Sequence, residues 1–76
     1  MTPKLPVITS RDVIKVAVKI GFVLDRQSGS HAVFLNRQKN LRIVIPIHKG
    51  KDIKKKTLKA IIDDLGITVE EFVNFL

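Results

Sequence analysis

The sequence predicts an α+β domain in which a three-stranded antiparallel sheet carries helices on one face. Three observations predict it. Val13, Val16, Ala17 and Ile20 recur at helical spacing near the N-terminus. Three short apolar stretches follow, joined by connections too short for a crossover helix. Two further stripes at helical spacing, Leu58-Ile61-Ile62-Leu65 and Val69-Phe72-Val73-Leu76, close the chain.

Each element has its own signals. Thr9 with Asp12 three residues on is a capping-box arrangement that opens the first helix. Arg11, Lys15 and Lys19 lie off its apolar stripe, and Gly21 is placed to end it in the left-handed conformation. Strands are expected over residues 22–26, 31–35 and 41–47. In the third, Leu41, Ile43, Ile45 and Ile47 alternate with Arg42, Val44 and Pro46. The connections, residues 27–30 and 36–40, make sequential strands antiparallel neighbours. Pro46 has no N–H for a ladder, which sends the third strand to an edge and leaves the second central. A second helix is expected over residues 54–65, with Asp52 as its N-cap and Gly66 as its stop. Thr68 and Glu71 make another capping box, which opens a short third helix. Packing the helices on one face of one sheet buries all three stripes. The resulting α-β-β-β-α order, plus a short C-terminal helix, is that of the double-stranded RNA-binding fold.

At 76 residues the chain is one small domain. A domain of this size buries only about 60% of its unfolded surface, so its core is marginal. A hydrophobic content of 45% excludes a disordered tail. The absence of cysteine excludes disulfides and thiolate metal sites. No apolar leader is visible in the first ten residues. The longest strongly apolar run, residues 43–47, is far short of the roughly 20 residues that a bilayer requires. A cytoplasmic location is expected.

The formal net charge of +7 predicts a polyanionic partner. Its distribution is more specific than its size. Residues 37–59 hold Arg37, Lys39, Arg42, Lys49, Lys51, Lys54, Lys55, Lys56 and Lys59 against Asp52 alone. Residues 60–76 hold four acids and no base. Lys54, Lys55 and Lys56 fall in the first turn of a predicted helix, where cations oppose the helix dipole. Such an end, with free amides and lysines, is suited to phosphate.

Few residues could perform chemistry. Asp63-Asp64 and Glu70-Glu71 are adjacent pairs on predicted helices, and neighbours at i, i+1 do not face each other. Neither pair makes a catalytic dyad. The two histidines, His31 and His48, have no carboxylate at metal-ligand spacing, so no metal and no cofactor are expected. His31 follows Ser28-Gly29-Ser30 in a turn. Imidazole exchanges protons near neutral pH, which suits it to activating a ribose 2′-OH for attack on the adjacent phosphate. Lysines nearby would stabilise charge that builds on the phosphoryl oxygens. Gly29 permits a tight turn and close approach of a nucleic-acid backbone, and Ser30 could bind phosphate or orient the imidazole. His48, beside Lys49 and Gly50, is a candidate second proton carrier or phosphate ligand. If His31 faces solvent, alternation places Val33 and Leu35 on its side as exposed contacts for a partner, with Ala32 and Phe34 toward the helices.

Four segments carry a family resemblance: the Gly29-Ser30-His31 turn, the strand ending Ile45-Pro46-Ile47-His48, Lys49-Gly50-Lys51-Asp52-Ile53-Lys54-Lys55, and Thr57-Leu58. In their order and separation they resemble the HicA toxins, the mRNA interferases of HicA–HicB toxin–antitoxin pairs. The resemblance extends from the helix over residues 13–21 to Gly66. It implies that residues 1–76 are a single ribonuclease domain with a double-stranded RNA-binding-like fold. The family's catalytic histidine matches His31. RNA contacts are expected from Gly29, Ser30, His48, Lys49, Lys51, Lys54, Lys55 and Lys56, and a HicB-like antitoxin would block the site. Family members often carry glycine where this chain has Lys56, a departure that adds charge without touching His31. Two other classes fit the composition, a non-catalytic RNA-binding domain and a module whose basic face docks an acidic protein.

Overall fold

The computed structural model describes residues 5–76. Its elements are α1 (Ser10–Ile20), β1 (Val23–Ser28), β2 (His31–Asn36), β3 (Leu41–Pro46), α2 (Lys55–Leu65) and α3 (Val69–Phe75). The strands form one antiparallel sheet in the order β1-β2-β3, so β2 is central and β3 lies at an edge. The order and the sheet are those of an α+β domain and accord with the double-stranded RNA-binding arrangement.

In α1 the Asp12 carboxylate accepts from the Thr9 backbone N–H and from its hydroxyl, each at 3.3 Å. Val13, Val16 and Ala17 are fully buried. Gly21 takes φ 117°, and its N–H bonds the carbonyls of Ala17 and Val18. The Phe22 N–H also reaches Ala17, at 2.9 Å. Phe22 therefore belongs to the helix stop, and β1 starts at Val23 rather than at residue 22 as expected. Its other end is also displaced, running to Ser28 rather than Arg26, because Gly29 and Ser30 alone make the turn. The left-handed φ of 58° at Gly29, with none at Ser30, is the pattern of a two-residue type II′ hairpin, which sets glycine first. β2 runs one residue past the expected end, since Asn36 pairs with Leu41. β3 ends at Pro46, one residue early, although the Ile47 N–H still donates to the Ser30 carbonyl at 2.6 Å.

The start of α2 also differs from expectation. Its N-cap is Lys54, not Asp52, and no side chain caps it. Asp52 forms an isolated antiparallel bridge with Thr9, and the Ile53 N–H donates to the Ile8 carbonyl at 2.9 Å. This pairing keeps residues 52 and 53 extended, so the N-cap falls two residues later and the helix starts at Lys55 rather than at residue 54. Leu58, Ile61, Ile62 and Leu65 are buried along one face. Gly66 and then the Thr68–Glu71 capping box, with bonds of 3.0 and 3.1 Å, separate α2 from α3. In α3, Val69 and Phe72 are buried, but Leu76 of the expected stripe stays half exposed beyond the helix end. Lys19 Nζ donates to the Phe75 carbonyl at 2.9 Å, placing a cation at the end of α3 where the dipole favours it.

The three helices contribute Val13, Val16, Ala17, Leu58, Ile61, Ile62, Leu65 and Phe72 to one core with Ala32, Phe34, Ile43 and Ile45 of the sheet. Ala32 and Phe34 thus point inward as alternation requires. Every residue of β1 is exposed, because the helices lie over β3, the core takes Ala32 and Phe34 from β2, and β1 is left overhanging. Val33 corrects the expectation of an exposed contact. It lies on the open face yet is only 8% exposed, while Leu35 is half-buried. On a central strand it is shielded from both sides, by Arg26 on β1 and Val44 on β3.

Candidate active site

The sheet's register sorts side chains into rows, and the rows on the face away from the helices build the site. Ser28, His31 and Pro46 form the row at the hairpin end. The next holds Arg26, Val33 and Val44, and the last holds Val23, Leu35 and Arg42. His31 is exposed and opens β2 immediately after the Gly29–Ser30 turn. Above Gly29 no atom lies within 4 Å of where a side chain would project, so the turn is open to an incoming ligand.

Chain geometry brings the second histidine toward this end. The Ser30 carbonyl holds the Ile47 N–H, and Pro46 lies directly across from His31. The chain then turns at His48–Lys51, where the Lys51 N–H donates to the His48 carbonyl at 3.0 Å and Gly50 takes φ 76°. The Thr9–Asp52 bridge clamps the far end of this loop. Pro46, His48, Lys51, Asp52, Ile53, Lys54 and Thr57 line a pocket of about 400 Å³. It opens at the N-terminus of α2, whose first turn has no acidic residue and no side-chain cap. The first amides of a helix have no intrahelical partner, so the pocket that Lys51 and Lys54 line adjoins a helix end with free backbone donors.

The structure gathers only part of the expected lysine set. His48, Lys51 and Lys54 share the pocket, whereas Lys55 and Lys56 sit exposed on the first turn of α2 and do not line it. Lys49 turns the other way, lining a groove with Arg11, Ile14, Lys15 and Ile47 beside the start of α1. Ser30 is exposed and accepts through its backbone carbonyl. Three residues belong to this region that sequence reasoning did not assign to the site. Thr57 lines the pocket from the third position of α2, and Asp52 lines it as its only carboxylate. Arg26 stands one row from His31 on the same face. The Lys54–Lys56 run hinted at Thr57, which follows it directly. Nothing in the local sequence marked Arg26.

No group of three or more histidine, aspartate and glutamate side chains comes together to hold a metal among the described residues. Among those residues, no helix is long and apolar enough to cross a membrane. The site's equipment is therefore an exposed imidazole at a hairpin turn, a second imidazole across the adjoining loop, and cationic side chains around an uncapped helix end. Such a set can transfer protons and bind a phosphodiester.

Comparison with known families finds a match that spans most of the chain. The profile of the family described as the HicA toxin of bacterial toxin–antitoxin systems matches residues 10–67. That span runs from the first residue of α1 to just past the Gly66 stop and contains both histidines. Among curated proteins, no sequence matches the chain.

Proposed function

Since the chain belongs to the HicA toxin family, the toxin side of a toxin–antitoxin pair, we propose that residues 1–76 form a single endoribonuclease domain that cleaves mRNA with His31 as catalytic residue. The observation that carries this reading is the exposed His31 at the Gly29–Ser30 turn, paired across the sheet with Pro46, which lines the lysine pocket. His31 removes the proton from a ribose 2′-OH. The 2′ oxygen attacks the adjacent phosphorus, the P–O5′ bond breaks, and the departing 5′ oxygen takes a proton from the second carrier. The products are a 2′,3′-cyclic phosphate and a 5′-hydroxyl end, with no net gain or loss of protons. His48 is the candidate for the second carrier. Lys51, Lys54 and the free amides of α2 hold phosphate beside the reacting group, with Lys49, Lys55 and Lys56 adding field from the flanks.

The open turn at Gly29 and Ser30 lets the RNA backbone approach His31 closely. A HicB-like antitoxin restrains the toxin by covering the hairpin turn and the loop over residues 47–54, and acidic groups on it would match the basic surface. The protein acts in the cytoplasm, where its mRNA substrate is translated.

The test is RNA cleavage by the purified chain with a metal chelator present. We expect His31→Ala to abolish cleavage while far-UV circular dichroism stays unchanged. Equal cleavage by the alanine variant would sink the catalytic role. Equal RNA binding with no cleavage by either form would leave a non-catalytic RNA-binding domain.

A further inference from the structure

We propose that Arg26 is a further catalytic residue of the same reaction, holding the scissile phosphate from the β1 side. The proposal rests on the ribonuclease reading above. Its geometry comes from the sheet. Ser28 lies directly across from His31, and Arg26, two residues back on β1, is opposite Val33. Arg26 is therefore the diagonal neighbour of His31, a separation of about 7–8 Å that a long side chain spans.

An irregularity in β1 determines which charge occupies that place. Counted outward from the buried Phe22, strict alternation would put Asp25 on the face of His31 and turn Arg26 toward the helices. The register instead shifts between Leu24 and Arg26, so Asp25 is an extra residue in the strand. Leu24 stays opposite Phe34 and Arg26 comes opposite Val33. Bulges of this kind re-aim side chains and recur beside active sites. Asp25 lines a different pocket, with Val23, Leu35 and Arg37 at the other end of the strand.

The guanidinium is free for a ligand. Arg26 is exposed, and Lys59–Asp63 is the one ion pair among the described residues. Its planar fork suits two oxygens of a phosphate, which a lysine cannot match. The pocket of His48, Lys51 and Lys54 lies on the β3 side of His31, and Arg26 lies on the β1 side. A phosphodiester over His31 is thus flanked by cations on both sides, and Arg26 stabilises the charge that builds on its oxygens during attack.

The experiment measures kcat and KM for RNA cleavage by Arg26→Gln, Arg26→Lys and Arg37→Gln, with His31→Ala in parallel. Arg37 carries the same charge in the turn at the opposite end of the hairpin. Loss of one donor to developing charge lowers kcat by about 100-fold, and that is expected of Arg26→Gln. Arg26→Lys should recover to within about tenfold of the parent, because charge returns without the fork. Arg37→Gln should cleave as the parent does. A kcat for Arg26→Gln within about threefold of the parent overturns the proposal, as does a rise in KM alone. If His31→Ala still cleaves, the underlying ribonuclease reading fails instead, so the two failures are separable. Arg26 is exposed, and matching circular dichroism spectra of both Arg26 variants separate removal of the guanidinium from damage to the fold.

Discussion

His31 was legible because its position depends on three consecutive residues. The Ser28-Gly29-Ser30 stretch marks a connection, expected over residues 27–30, and the residue after it opens the next strand at the sheet's end; the turn itself is tighter, Gly29 and Ser30 alone. Gly29 is the residue on which this depends, with φ 58°. Gly29→Ala should lower stability in urea unfolding by about 1–2 kcal/mol, the cost of a side chain in the left-handed region, and should reduce cleavage by moving the imidazole. An alanine variant with parental stability and rate would contradict this. Arg26 was not legible, because its place depends on where an extra residue sits in β1. The string Val23 to Ser28 has no alternating apolar pattern from which to count, and the register emerges only from pairing with β2. Val33 failed for the converse reason. Alternation chose its face correctly, but burial on that face came from neighbours on two other strands.

The elements themselves were readable from periodicity and punctuation. Gly21, Gly66 and both capping boxes fall where the sequence puts them, since these devices act within a few residues. The start of α2 was misplaced because a distant segment decides it. The pairing of residues 8 and 9 with residues 52 and 53 holds Asp52 out of the helix. That leaves a lysine at a position where aspartate, asparagine, serine or threonine is preferred. A trade between stability and binding follows. Lys54→Asp should raise stability in urea unfolding by about 1 kcal/mol, as a good N-cap does. The same change should weaken RNA binding by about tenfold or more and flatten its salt dependence by ~0.7 in logarithmic slope for each phosphate no longer neutralised. Stabilisation with unchanged RNA affinity would remove the helix start from the proposed interface.

At the scale of the whole molecule, three helices on one face leave the other face of the sheet open, the face on which His31 and Arg26 stand. Both the hairpin turn and the helix start reach the same end of that sheet because β3 runs directly into the loop that precedes α2. The layer arrangement was legible from the count and order of elements. The uneven coverage was not, since it depends on how far the helices reach across the strands. With stability on the order of 0.05–0.15 kcal/mol per residue, a chain of this length has little to spare, and it leaves its first strand entirely outside the core.

The extra residue in that strand has a consequence for how the chain tolerates shortening. Deleting Asp25 would leave Val23 opposite Leu35, Leu24 opposite Phe34 and Arg26 opposite Val33, the partners they have now. Such a deletion should therefore preserve cleavage. It would also straighten an exposed border whose irregularity now discourages another chain from adding to it. The shortened protein should match the parent in the proposed RNA cleavage while self-associating with rising concentration in light scattering, and a monomer that falls short of the parent's cleavage would refute both parts. On this account one aspartate guards an open edge of the sheet against pairing with another chain.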